Sequence, residues 1–244
     1  MNIWPKLKPV RCSTCNGVDG VQGEPPDGLL RVEAWKFGVL YRCSYCERSW
    51  FQSDDRRQID RIQEHLLPLA LHWNATPLSV DETLLHKLAA IGGTTKPSRQ
   101  YIGVPCSVKT ISGEMHDKAL VMFSKRPPYF WYQPEMVHWA DEIADILPSD
   151  FALPLDVRRA TLEKQEVRMG FAPVGIVDSQ GREYTLSHET NFLNAEGLKG
   201  KEVRLSGRQR GWKKRVLPTP VEHYYFVDWF PQCEEWLLAS HSRQ

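Results

Sequence analysis

The chain has no hydrophobic run long enough to cross a membrane, for which about 18 uninterrupted apolar residues are needed. Its opening residues, Met1-Asn2-Ile3-Trp4-Pro5-Lys6-Leu7-Lys8, lack the apolar region of a signal peptide, so a cytoplasmic protein with no membrane partner is expected. Net charge is nearly absent. With 31 Lys plus Arg against 30 Asp plus Glu, the balance is +1, and any case for nucleic-acid binding must rest on local clustering. Catalytic signatures are also missing: there is no Walker loop, His-Glu-x-x-His or Gly-x-Ser-x-Gly. A non-enzyme is the expectation. Asp54 and Asp55, with Asp141, Glu142 and Asp145, can be drawn as a two-metal nuclease, but both groups fall on predicted amphipathic helices, where acids at caps and outer faces are ordinary. There is no internal repeat and no low-complexity tract.

Cysteine is scarce, and its placement is what organises the chain. Of 6 cysteines, Cys106 and Cys233 stand far apart and read as buried thiols in a reducing compartment. The other four form two close pairs, Cys12-Ser13-Thr14-Cys15 and Cys43-Ser44-Tyr45-Cys46. Four thiolates in two such pairs suit one tetrahedral Zn²⁺, with Zn–S bonds of about 2.3 Å. Between the pairs, Gly17, Gly20, Gly23, Pro25, Pro26 and Gly28 let the chain fold back on itself. Two disulfides, a redox Cys-x-x-Cys and four buried thiols are the competing readings. Zinc held by four cysteines has a closed coordination sphere, so the cofactor is read as structural. The pairs also lack the His-x-Glu partner of zinc deaminases, and His65 and His72 are not needed as ligands.

The 244 residues, 41% hydrophobic and 11% aromatic, suffice for a real core. The pattern predicts an α+β protein: an N-terminal four-cysteine zinc ribbon with helices, then a mixed or antiparallel sheet domain with packed helices. The expected divisions are 1–52 (ribbon), 53–93 (a helical segment packed on it) and 101–244 (an α+β domain with a basic loop), with the polar stretch 94–100 as the boundary. Residues 29–35 and 37–42 read as ribbon strands, with the second cysteine pair on the turn that closes the hairpin. Ser53 with Asp54 and Asp55 reads as the cap of a helix through Ile59, Ile62, Leu66 and Leu67 that Pro68 ends. Asp81 caps a second helix, stopped by Gly92-Gly93. Strands are expected over 101–111, 119–123, 129–132, 171–177, 183–186, 201–205 and 221–229. Asp178-Ser179-Gln180-Gly181 is a hairpin turn. Further helices are expected over 134–146, 155–166 and 234–240. The first of these carries Glu135, Asp141, Glu142 and Asp145 and no Lys or Arg, which suits a protein partner or solvent.

Charge is segregated along the chain. Residues 199–215 hold Lys199, Lys201, Arg204, Arg208, Arg210, Lys213, Lys214 and Arg215 against the single acid Glu202. Gly200, Gly207 and Gly211 make the segment loop-like, and Trp212 sits among the cations where it can stack on a base or wedge into a groove. The bland reading is a solvated charged face. The strongest nucleic-acid candidates are Arg208, Arg210, Trp212, Lys213, Lys214 and Arg215, then Lys125 and Arg126. Lys96, Arg99, Lys109 and Lys118 stand at predicted strand ends, and His116, beside a turn, reads as an exposed side chain or a contact to a base or phosphate.

The two cysteine pairs, the middle stretch Ser112-Gly113-Glu114-Met115-His116-Asp117-Lys118 before an apolar strand, and the basic C-terminal part together resemble the zinc-finger large subunit of type IV CRISPR effector complexes. That resemblance implies a non-catalytic subunit of an RNA-guided ribonucleoprotein. Its implied partners are double-stranded DNA beside the protospacer-adjacent motif, the guide RNA and the other effector subunits, and its implied role is to assist strand opening. The alternatives are a zinc-ribbon DNA-binding regulator of plasmid or phage origin acting without guide RNA, and a protein-only adaptor.

Overall fold

The computed structural model describes residues 30–43, 46–54, 60–77, 79–95, 101–128, 133–164, 173–186, 190–193, 198–207, 216–217 and 221–228. Two compact units emerge, Met1–Pro77 with Lys125–Pro134, and Leu78–Ser124 with Glu135–Gln244. The architecture is α+β and mostly strand, with three α-helices among the described residues.

The first unit is an antiparallel meander. Strands β1 (Leu30–Trp35), β2 (Gly38–Cys43), β3 (Ser49–Ser53) and β4 (Asp60–Ile62) pair in sequence order. The register sets Leu40 opposite Phe51, and both are buried. Gly38 is dictated by space, because a Cβ there would lie 2.2 Å from the Gln52 carbonyl oxygen. Helix α1 (Leu67–Ala75) supplies Ala70 and Trp73, three residues apart and both fully buried. Trp73 meets Phe51 edge-on, with ring centroids 6.1 Å apart and an interplanar angle of 86°. Lys36, in the β1–β2 turn, places its Nζ 4.5 Å from the Trp73 ring centroid and donates to the Thr76 carbonyl at 3.1 Å. Its backbone N–H donates to Asn74 Oδ1 at 2.8 Å, so the turn is tied to the end of the helix.

Among the described residues, the helix expected to run from Ser53 to Pro68 is replaced by strands and one 3₁₀ turn, Glu64–Leu66. Residues 49–53 are β3, residues 60–62 are β4, and Pro68 sits in the first turn of α1. Proline lacks an N–H, which costs nothing in a first turn where that donor has no intrahelical partner, so Pro68 opens the helix that it was expected to close.

The second unit is built on a mixed sheet. Strands β5 (Thr94–Thr95), β6 (Tyr101–Thr110), β7 (Met115–Ser124), β14 (His223–Val227) and β8 (Val137–Trp139) run in the order β5-β6-β7-β14-β8, and β9 (Ile143–Leu147) pairs with the far half of β6. The β6–β7 hairpin is antiparallel, while β14 lies parallel to both β7 and β8. Residues two apart on each strand, including Val104, Cys106 and Val108 on β6, Ala119, Val121 and Phe123 on β7, and Tyr225 and Val227 on β14, form one buried face. Helix α2 (Glu82–Ile91) lays Leu84 and Leu88 on that core. Its start is the expected one: Asp81 accepts from the Leu84 N–H at 2.8 Å, and Gly92 ends it at φ 81°.

A smaller sheet of the same unit, ordered β12-β10-β11-β13, comprises β10 (Val174–Val177), β11 (Glu183–Leu186), β12 (Arg204–Leu205) and β13 (Val216–Leu217). Helix α3 (Leu155–Glu163) contributes Val157 to its core, and buried Arg158 donates to the Leu153 carbonyl at 3.0 Å. The β10–β11 turn is the expected one. Asp178 accepts from the backbone N–H groups of Gln180 and Arg182, each at 2.9 Å, and Gly181 takes φ 77°.

Residues 134–146 are the largest departure from expectation. In place of a helix, two 3₁₀ turns alternate with β8 and β9. Met136, Trp139, Ala140, Ile143 and Ile146 fit helical spacing while Val137 and Trp139 also alternate as in a strand, and available partners decided between the two: β14 for β8, β6 for β9. Among the described residues, no helix is long and apolar enough to cross a membrane. The strand expected over 129–132 and the helix expected over 234–240 lie outside the described residues.

Candidate functional site: a cysteine turn and a histidine cluster

The second cysteine pair sits on the turn between β2 and β3. Cys43, the last residue of β2, is buried, and Cys46 is half-buried. The Cys43 N–H donates to the Arg48 carbonyl and the Glu47 N–H to the Cys43 carbonyl, both at 2.9 Å. Glu47, directly after the second cysteine, takes φ 56°, a left-handed conformation that turns the chain back into β3. Two cysteines with two residues between them on a turn have the spacing of half a tetrahedral thiolate site, and Cys43 and Cys46 are the residues that would hold a metal there. Cys12 and Cys15, the other half, lie outside the described residues.

The basic candidates divide. Arg208, Arg210, Trp212, Lys213, Lys214 and Arg215 lie outside the described residues. Lys125 is half-buried, and Arg126 forms an ion pair with Asp60 at 3.2 Å, its side chain 15% exposed. Lys199 pairs with Asp150 at 2.9 Å and Lys201 pairs with the same carboxylate, which the two ammonium groups hold below the usual carboxylate range. Lys118 places its Nζ 4.9 Å from the Phe151 ring centroid, and Arg204 and Lys109 are exposed. Of the acids drawn into a nuclease, Asp145 is engaged by Lys87.

His116 is buried, contrary to the expectation of an exposed residue beside a turn. The cause is a bulge. Cys106 pairs with Ala119 but Val108 pairs with His116, so two steps on β6 face three on β7, and the extra residue turns His116 onto the core face shared by Ala119 and Val121. There it stacks on His223, with centroids 4.0 Å apart, and His138 is 5.2 Å away. The parallel register sets His138 opposite Tyr225, one strand from β7, and that ring stacks on the Tyr225 ring at 4.9 Å. The ring nitrogens of His116, His138 and His223 that can face one another lie within 4.8 Å.

Hydrogen bonds orient the cluster. His138 Nδ1 lies 3.1 Å from Glu142 Oε2, and its Nε2 lies 3.1 Å from His223 Nδ1. Glu142 accepts only, so His138 donates to it through Nδ1. Burial, then the neighbouring His116 and His138, push the His223 pKa down to about 4. Burial also lowers that of His116, against the pull of Glu114. The His116 and His223 imidazoles are therefore neutral at physiological pH. Cys106, on the same core face, donates weakly to the Ala119 carbonyl, and burial pushes its thiol up to about 12, so it is the inert thiol expected. Cys233 lies outside the described residues.

His138 and His223 are 85 residues apart and carry no local motif, so spacing did not point to them. Only strand order brings the three histidines together. Compared with known proteins, this chain matches no protein family, no curated protein and no solved structure.

Proposed function

We propose that this protein is a non-catalytic, metal-pinned subunit that contacts nucleic acid within an RNA-guided assembly of the type IV CRISPR kind. The observation that carries the reading is the cysteine turn: Cys43 and Cys46 stand on one closed turn between paired strands, as half of a thiolate zinc site requires. A zinc module built this way is structural. Recognition then falls to cations elsewhere, above all the segment 208–215, where Arg208, Arg210, Lys213, Lys214 and Arg215 would hold phosphates and Trp212 would stack on or wedge beside a base. Base pairing with the guide would read the target sequence, leaving the protein to grip a short duplex motif. A protein-only adaptor is the second reading, favoured by the internal compensation of Arg126 by Asp60 and of Lys199 and Lys201 by Asp150.

Two measurements separate the readings. Recovery of the protein from its native host should bring with it further effector subunits and a guide RNA that sequencing identifies; recovery without RNA would sink the guided reading. Replacing Lys213, Lys214 and Arg215 with Ala should weaken DNA binding and flatten its salt dependence by about 0.9 in log–log slope for each phosphate no longer neutralised, with folding intact. Unchanged binding would remove this segment from the interface.

A further inference from the structure

We propose that His116, His138 and His223 form a second metal site, a three-imidazole centre for a divalent cation of the zinc class, separate from the cysteine set. It lies in the larger unit and does not depend on the nucleic-acid reading.

The spacing of the ring nitrogens approaches that of a ligand set. Two imidazole nitrogens on one tetrahedral zinc, each about 2.0–2.1 Å from the metal, stand roughly 3.3 Å apart. His138 Nε2 and His223 Nδ1 are 3.1 Å apart, a hydrogen bond in the metal-free cluster that becomes a ligand pair once the shared proton moves to the outer nitrogen of His223. The widest separation in the set is 4.8 Å, and closing it takes a side-chain rotation of roughly 1.5 Å at the ring edge. His116 adds a second, independent observation. Its Nε2 is buried, its side chain is 6% exposed, and the atom has no hydrogen-bond partner. A buried polar atom left in that state is costly unless something bonds it, and a metal on the lone pair is such a partner.

The surroundings agree. Glu142 accepts from His138 Nδ1 at 3.1 Å, the carboxylate–histidine arrangement that fixes the tautomer and raises the basicity of a ligating nitrogen. Glu114 Oε1 lies 3.8 Å from His116 Nε2, at the exposed rim, so a carboxylate or a water is within reach of a fourth position. Three nitrogens favour Zn²⁺, Co²⁺ or Ni²⁺ over the oxygen-seeking Mg²⁺ and Ca²⁺. The centre would clip β7, β14 and β8 together across two parallel ladders whose strands are remote in sequence. The competing arrangement is metal-free, with the imidazoles held by stacking and by the two hydrogen bonds of His138.

The test uses the full chain, stripped by chelation and reloaded with Co²⁺ alone, with metal retained through gel filtration as the measure. Two classes of cobalt are expected: a thiolate class with intense charge-transfer absorption, and a nitrogen class with weak visible bands only. His138→Gln and His223→Phe should each lose about one equivalent, all from the nitrogen class, with the thiolate absorption unchanged. Glu142→Gln keeps every ligand and should weaken that class about tenfold or more, so a result survives even if a histidine variant fails to fold. If no nitrogen class appears, or if it persists undiminished in all three variants, the proposal is overturned. Loss of the thiolate class alone would count against the cysteine module and leave this centre standing.

Discussion

The two units solve the problem of burying a core by different means. The smaller one relies on sequential antiparallel pairs and on a few large rings, Trp35, Phe51 and Trp73, with Lys36 over the last. The larger one relies on aliphatic side chains repeated two apart along long strands, and on parallel pairing that joins His223 to Ala119 and Tyr225 to His138. A small meander with a short helix has little apolar area, so a metal staple on the Cys43–Cys46 turn would add most there. The larger sheet has an aliphatic core of its own, and its three clustered histidines stand on β7, β14 and β8.

That contrast can be broken first at the metal. Replacing Cys43 with Ser should cost the first unit most of its order, because structural zinc binding contributes on the order of 10 kcal/mol to folding in small modules. Zinc content and amide protection in β1 to β4 should fall together while β6, β7 and β14 stay protected. A melting curve identical to that of the parent, with or without metal, would reject the staple.

Core truncations sharpen the comparison at smaller cost. Trp73→Ala should destabilise by about 3–5 kcal/mol and Leu88→Ala by about 2–5 kcal/mol, from lost transfer energy plus the cavity left behind. Hydrogen exchange should locate the first loss in the meander and the second in the larger sheet. A uniform loss across both units in either variant would show that the cores are not separate.

The smallest effect concerns pH. Asp150 is held below its ordinary range by Lys201 and Lys199, and Asp145 by Lys87 and the Ile146 N–H. A carboxyl whose folded pKa is depressed contributes stability above its unfolded pKa, near 3.9, and loses it as pH falls through the folded value. The larger unit should therefore lose stability on acidification below about pH 4, and Asp150→Asn should make that loss slightly shallower. Urea midpoints measured at neutral pH and at pH 3 give the readout, and equal slopes in the two proteins would deny the Asp150 contribution. Both carboxylates are partly exposed, so the change is modest.

Much of the fold was legible where local chemistry decides. Asp81 and Gly92 bracket α2 as a cap and a stop should, and Asp178 with Gly181 makes the β10–β11 turn. In each case the decisive hydrogen bond or backbone angle lies within a few residues of the signal. Legibility failed where a segment's conformation depends on a remote partner. Residues 134–146 have a helix-compatible spacing that β14 and β6 override, and Pro68 marks a beginning because the residues before it had already paired as β4.

The candidate sites divide along the same line. The amino-acid sequence by itself determined the cysteine turn, because two cysteines three residues apart need only one turn to converge. Tertiary structure alone decided the histidine cluster: β14 had to enter between β7 and β8, and one extra residue on β7 had to turn His116 inward. Sheet order and register are set by which apolar faces bury together across the whole chain, and no window of sequence around a single histidine contains that information.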